Sequence, residues 1–526
     1  RTVGYLYENK QKQMAGMVGL ERAYDNELRG VDGFTLKQKL SGNVWMPVND
    51  DNQVDAKDGY DVISTIDVDI QDVAQSALKK QIDAMGAAHG CAILMEVETG
   101  NILAIANIGN DNGLLHEDYN YAIGEATEPG STFKIASLMV ALEDGYIDIT
   151  DTIDCMGGEV KYYGATMSDS HKGLRRMTIQ HAFELSSNVG ISRIITKYYR
   201  GKEDDFVKGL YNLRLNVPLD LEIIGEGAPH IKDPSDKTWW GTTLPWMSIG
   251  YEVKLTPLQL LTFCNAIAND GKMVKPKFIN EIKNNEKVVE VRETEVLQPS
   301  ICSKSTLKKV RKMLEGVVLS GTASNLKNDN YSIAGKTGTA QLNYWDKSKP
   351  KTHQASFVGY FPADKPKFSC IVVINSPSKG IYYANLVAGP VFKEIADKVY
   401  STTLEIQPDI TEKYKNVAIE APTAIDGYHE DLEKICDALD VEMIDKTGES
   451  DWSKSGRLDS AMVLKTKDIK DNCVPDVRGM GSRNAVYLLE NKGLRVMVQG
   501  RGVVRNQSVS PGSPIRRGQV IIIELS

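Results

Sequence analysis

Three short stretches of this chain combine a hydroxyl, an amine and an amide at spacings that could support acyl transfer: Ser131-Thr132-Phe133-Lys134, Ser186-Ser187-Asn188 and Lys336-Thr337-Gly338-Thr339. A serine hydroxyl is a weak nucleophile until a base takes its proton. Lysine can serve as that base only when neutral, which needs a desolvated site or a second cation nearby. Lys134 lies one helical turn beyond Ser131 on the same face, so its amine can reach the hydroxyl. Lys336 would supply the second cation, Ser186 a proton relay and Asn188 an amide donor to substrate. Lys336 and Thr337 could hold a substrate carboxylate, and Gly338 would let the chain approach closely. The N–H groups of Ser131 and Thr339 would form an oxyanion hole.

Each motif alone is weak. S-x-x-K also occurs at Ser76–Lys79, Ser305–Lys308, Ser348–Lys351 and Ser376–Lys379, S-x-N at Ser41–Asn43, and K-T-G at Lys446-Thr447-Gly448. Taken singly, these read as surface serines and lysines, and the second K-T-G sits in a polar stretch without a strand pattern. Order and context separate the first set. Pro129-Gly130 breaks the chain before Ser131, and Ile135, Leu138, Met139 and Leu142 then form an apolar stripe, so Ser131 opens a buried helix whose free N–H groups favour negative charge. The Ser186–Asn188 stretch falls between two helical patterns, Ile179–Leu185 and one starting at Val189, where a helix-capping pair is the plain alternative.

The elements that must position these residues follow from periodicity. Residues 1–60 hold a helical pattern from Met17 to Leu28 and a polar surface connection at 49–58. A helix is expected from Thr65, with Asp67 as its cap. Residues 91–106 read as a hairpin turning at Glu98–Asn101, the stretch from 131 to 270 as mainly helical, and 331–341, 355–361 and 367–375 as strands before a closing helix near Val391–Tyr400. A sheet of early and late strands with helices from the middle is an α+β plan.

Beyond Pro408 a pattern recurs 53 residues apart: Leu432 with Ala485, Ile435 with Leu488, Val441 with Leu494 and Met443 with Val496. A short helix leading into a strand, used twice, fits it. Residues 422–472 hold 13 acidic and 7 basic side chains and residues 474–526 hold 3 and 8, an asymmetry expected to draw the two modules together.

The 526 residues should fold as more than one domain. A net charge of −8 argues against nucleic acid as a partner, which would ask for a basic face. No apolar run reaches the length of a membrane span, and an N-terminal segment is expected ahead of Arg1. The 7 cysteines stand singly and read as buried free thiols, while the 7 scattered histidines show no metal-ligand spacing. No metal and no cofactor are expected.

With those residues in place, the chain resembles the class B penicillin-binding proteins. Gly19–Leu28 with Arg29-Gly30 is similar to the signature of their N-terminal pedestal. Thr256-Pro-Leu-Gln259, Ala268–Gly271, Gly321-Thr-Ala323 and Phe357–Pro362 look like transpeptidase landmarks. Val474-Pro-Asp-Val477, Gln507-Ser508 and Pro511-Gly512 are similar to a PASTA module, whereas 416–472 lacks those landmarks. The resemblance implies a pedestal at 1–60, a transpeptidase domain at 61–402 with an antiparallel sheet and a helical subdomain, a degenerate PASTA-like repeat at 416–472 and a PASTA module at 473–526. It implies an extracytoplasmic enzyme anchored to the cytoplasmic membrane by an N-terminal helix. Such an enzyme cross-links D-Ala-D-Ala stem peptides, is acylated by β-lactam antibiotics, and works with a membrane glycosyltransferase of the shape-and-division family and with divisome proteins, here in septal synthesis. A β-lactamase or D,D-carboxypeptidase on the same catalytic unit is one alternative; no E-x-x-L-N deacylating segment is found, and turnover of a chromogenic cephalosporin separates the cases. A non-catalytic β-lactam sensor is the other, and the intact motifs argue against it.

Overall fold

The computed structural model describes residues 1–526 apart from 9–13, 43, 49–52, 345–347, 349, 404–420, 449 and 459–460. The expected start of the first repeat at 416 and the first part of the 49–58 connection lie outside the described residues. The chain forms two compact units, Arg1–Gln407 and Pro408–Ser526.

The first unit is built on a six-stranded antiparallel sheet. Its strands are β1 (His89–Glu96), β2 (Ile102–Asp111), β3 (Leu114–His116), β4 (Ala334–Leu342), β5 (Thr352–Phe361) and β6 (Phe368–Asn375), in the order β3-β2-β1-β6-β5-β4. Every residue from Gly90 to Met95 is buried, so both faces of the sheet are covered and the strand reads as an unbroken apolar run. Helices α1 (Val68–Met85) and α7 (Gly389–Thr402) pack together on the sheet. Asp67 caps α1 by accepting from the Ile70 N–H, as its position predicts.

Between these strands come α2 (Lys134–Glu143), α3 (Ile179–Glu184), α4 (Asn188–Tyr199), α5 (Pro257–Ala268) and α6 (Lys304–Leu319). All twelve residues of α5 are buried, and Thr256 and Gln259 close a reciprocal capping box at its start. That is the physical content of the Thr256–Gln259 landmark: the helix enters the core with its first N–H groups already satisfied.

The region from 131 to 270 is less purely helical than expected. Short strands pair Thr152–Asp154 with Arg176–Thr178 and, between them in the chain, Glu159–Tyr162 with Ala165–Ser168. The second turns on Tyr163 and Gly164, both at positive φ, the conformation that two-residue hairpin loops demand. Near the N-terminus, Met14–Val18 is a strand paired with Tyr5–Glu8 rather than the start of a helix, and helix begins only at Gly19.

The second unit repeats one plan. In its first half α8 (His429–Ala438) leads to β7 (Met443–Lys446), β8 (Trp452–Leu458) and β9 (Ala461–Thr466); β9 lies between the others, parallel to β7 and antiparallel to β8. In its second half α9 (Ser482–Asn491) leads to β10 (Arg495–Gly500), β11 (Val504–Gln507) and β12 (Val520–Leu525), with β12 parallel to β10 and antiparallel to β11. Lys446 therefore ends a strand, although its surroundings carry no strand pattern. The halves meet through the buried Lys467–Asp426 pair, both members in the first half, which grips the backbone of Arg478 and Gly479, and through Trp452 against the second core. Opposite net charge contributes Lys492–Asp471, whose carboxylate is exposed; the join is mainly buried and backbone-directed.

Candidate active site

Ser131 lies in a single 3-10 turn, Gly130–Phe133, that runs into α2, so the regular helix starts three residues later than the sequence suggests. The turn is fixed by close backbone approach. Gly130 adopts φ +57° and donates its N–H to the Gly250 carbonyl at 3.1 Å. A Cβ on Gly250 would sit 2.0 Å from the Gly130 oxygen. On the other side β4 packs on the same turn: a Cβ on Gly338 would lie 2.4 Å from Ser356 Oγ and 2.8 Å from Thr132 Cγ2. Gly338 thus allows close approach, but to the turn that carries Ser131.

The Ser186–Asn188 turn divides its tasks. Ser187 is the helix cap, its hydroxyl accepting from the Gly190 N–H at 2.9 Å. Ser186, one residue earlier, is held at φ +56°, an unusual conformation for a residue with a side chain. Its hydroxyl receives Lys134 Nζ at 3.2 Å and Lys336 Nζ at 2.9 Å. Lys134 also donates to the Ser186 carbonyl and to Asn188 Oδ1, both at 2.7 Å. Lys336 completes its set on the Thr337 carbonyl at 2.9 Å. The bonds of Lys134 thus cross to the Ser186–Asn188 turn; among the described residues none goes to Ser131.

Both lysines are fully buried, and among the described residues neither forms a salt bridge. Burial therefore penalises their charged forms, with hydrogen bonds but no directly paired carboxylate to offset it. It pushes Lys134 down to about 7, an effect that the Asp169 carboxylate partly opposes. Lys336 is pushed well below the ordinary lysine value, first by burial and then by the charge of Lys134.

Above them opens a cleft of about 700 Å³, lined among others by Ser131, Ser186, Asn188, Thr337 and Thr339. The lysines lie beneath this lining. β4 is the sheet edge, and the Gln341 N–H turns outward to Tyr251 Oη at 3.0 Å. N–H groups two residues apart on a strand share a side, so the Thr339 N–H faces the same open edge. The structure thus brings all the motif residues of the sequence reading to one place. Sequence reasoning missed Asp169, which bonds Ser187 and Val189; Thr322, whose hydroxyl meets that of Thr337 at 2.6 Å; and the stacked His353–Tyr382 pair on the cleft wall. Gly321-Thr-Ala323 marked the second. Nothing marked the first, an aspartate in a polar Ser168–His171 stretch.

Comparison with known proteins agrees with this geometry. Residues 90–397 match the penicillin binding protein transpeptidase domain and residues 474–526 match the PASTA domain. The chain is 29% identical over 391 residues to a probable peptidoglycan D,D-transpeptidase PenA of Neisseria flavescens, covering 72% of this chain and 92% of that protein. It is 26% identical over 490 residues to stage V sporulation protein D of Bacillus subtilis, covering 90% of this chain and 72% of that one. Penicillin binding protein 2X of Streptococcus thermophilus shares the fold, with a TM-score of 0.66 at 20% identity over 100% of this chain and 81% of its own.

Proposed function

The chain belongs to the penicillin binding protein transpeptidase family, whose domain model matches more than half its length, and from that premise we propose that it cross-links peptidoglycan stem peptides through an acyl-enzyme on Ser131. The observation that carries this reading is the Ser186 hydroxyl held between two buried lysines beside the cleft that Ser131 lines.

The terminal carboxylate of a D-Ala-D-Ala donor settles at Lys336 and Thr337. Its charge draws a proton to Lys336 and leaves Lys134 neutral, since two adjacent buried ammonium groups oppose each other. Lys134 Nζ then takes the Ser131 proton while Oγ attacks the penultimate D-Ala carbonyl, and the new oxyanion meets the Ser131 and Thr339 N–H groups. When the C–N bond breaks, the departing D-Ala nitrogen takes the proton back through Ser186 Oγ. Asn188 holds the donor by its amide. An amine of a neighbouring stem attacks the ester, its proton follows the same route, and Ser131 is released. A β-lactam enters the same first step and stays attached.

Intact-mass measurement after incubation with penicillin tests the reading: a single adduct is expected, absent from Ser131→Ala. An adduct that survives, or maps to Ser76, Ser305 or Ser376, overturns it.

Peptidoglycan lies outside the cytoplasmic membrane, so the enzyme works there. Among the described residues no helix is long and apolar enough to cross a membrane; anchoring by a segment ahead of Arg1, a membrane glycosyltransferase partner and divisome proteins belong to this reading on family grounds. The likeness to a sporulation protein over most of the chain favours septal or spore-wall synthesis over lateral growth. Residues 427–466, with the strand plan of the PASTA half, are a diverged second copy of it.

A further inference from the structure

Beside the two lysines stands a carboxylate that the mechanism above does not use. Asp169 follows the strand Ala165–Ser168 and is 8% exposed. Its Oδ2 accepts from Ser187 Oγ at 2.8 Å and its Oδ1 from the Val189 N–H at 2.9 Å. The preceding carbonyl, of Ser168, accepts from Asn188 Nδ2 at 2.8 Å. The strand end thus holds each side of the Ser186–Asn188 turn. It also explains how Ser186 stays at positive φ: Ser187 and Val189 behind it are pinned, so the turn cannot relax.

We infer that Asp169 is a positioning residue of the acyl-transfer reaction: it locks the turn that presents Ser186 and Asn188 to Lys134, and it supplies the anionic charge that keeps Lys134 able to hold a proton between steps. The inference rests on the reading of Lys134 as base and deepens it. A base must take a proton from Ser131 and also keep it long enough to return it. Burial alone would drive Lys134 further toward the neutral form, and Asp169 opposes that drift without touching the amine.

The groups facing Lys134 are few. Ser186 and Asn188 on the turn are neutral. Lys336 on β4 is the other amine, pushed toward neutrality by burial and then by the charge of Lys134. Glu184 at the end of α3 is turned to Gln180 and His181. Cys155, packed near Ser187, is kept protonated by burial. His171 lines the cleft. Asp169 is the carboxylate whose charge acts on Lys134.

The test is the pH profile of acylation in Asp169→Asn, followed as adduct formation with penicillin. The amide keeps the shape of the carboxylate and one acceptor, and the Ser187 hydroxyl can rotate to meet the new NH2. Loss of the charge should lower the proton affinity of Lys134, so the acidic midpoint of the rate should move to lower pH by roughly half a unit, an electrostatic effect of ordinary size for a partly screened charge. The rate on the alkaline plateau should fall about tenfold as the turn loosens. Ser187→Ala removes a hydrogen bond and keeps the charge, so it should lower the plateau and leave the midpoint in place. Asp169→Ser is a second neutral variant, should the amide melt below the assay temperature. An unmoved midpoint in a folded neutral variant, with the adduct still on Ser131, overturns the role of Asp169 and leaves the nucleophile standing. Loss of the adduct from Ser131 in the wild-type protein would instead overturn the reading beneath it.

Discussion

Two of the places where the protein buries lysines are treated in opposite ways. In the first unit Lys134 and Lys336 are 0% exposed, and their partners are hydroxyls, carbonyls and an amide oxygen. In the second unit Lys467 is 2% exposed and meets the Asp426 carboxylate at 2.7 Å and the Arg478 carbonyl at 2.8 Å. Burying a charge costs several kcal/mol unless a counter-charge and hydrogen bonds offset it. At Lys467 both are supplied, and the result is a permanent fastening between two repeats. At Lys134 the counter-charge is set back, and the amine is left close to the point where it gains or loses a proton. Burial is common to both sites; what differs is the distance of the carboxylate, and that difference separates a reactive lysine from a structural one.

The strongest way to break the comparison is to remove the reactive amine. Lys134→Ala should slow acylation at neutral pH about a thousandfold or more, read as penicillin adduct against time, because it removes the amine proposed to take the serine proton. Acylation by the intact protein should rise with pH through about 7 and level off above it, since only the neutral amine is a base. A flat profile would mean that Lys134 is neutral throughout. The folded state should also gain stability between pH 7 and 10.5, where the unfolded chain still holds a proton that buried Lys134 has lost. That gain should be smaller in Lys134→Met, where buried Lys336 still contributes its own share.

Lys467→Met attacks the other side. It leaves the largely covered Asp426 without its cation, and the melting of the second unit should lose about 3 kcal/mol. Replacing both members by apolar residues should restore part of that loss, whereas equal losses would show that the charge pair itself was not the issue. Neither variant should change acylation.

Lys336→Ala should be milder, slowing acylation by roughly ten- to a hundredfold, with the greater loss for β-lactams that carry a carboxylate. Equal losses with carboxylate-free analogues would place Lys336 in proton transfer alone. The smallest effect should come from ending the chain near Gln407. No motif residue lies beyond that point, so acylation should be unchanged. The separated second unit should melt with little dependence on salt, because its fastening is buried; a steep dependence would return the join to the surface charges of the two halves.

What the sequence disclosed follows from where the signals lie. Ser131, Ser186 and Lys336 are announced by local context: a Pro-Gly break, a gap between two helical periods and a strand at 331–341. The main strands are legible because a sheet covered on both faces reads as long apolar runs. Asp169 was invisible because its meaning depends on Ser187 and Val189, 18 and 20 residues further on, which only the fold brings to it. The same limit hid the N-terminal strands. Phe34–Thr35 with Gln53–Val54 and Lys37–Lys39 with Trp45–Pro47 are two- and three-residue pairings, and their exposed apolar residues show no alternation between core and solvent.

The glycine contacts around Ser131 bear on how such an enzyme could escape the antibiotics that acylate it. Position 250 is closed to any side chain by the Gly130 backbone, position 130 by its positive φ and the Ala340 Cβ, and position 338 by Ser356 and Thr132. Substitution there would displace Ser131, the proposed nucleophile, together with the inhibitor, so selection finds no foothold at the centre of the site. Tolerance begins further out, at Tyr251, Gln341, His353 and Tyr382 on the cleft wall. Drug-resistant descendants of this protein should accumulate changes in that outer ring and in the segments behind it, and inhibitors that draw their affinity from the glycine-locked turn should be the slowest to lose it.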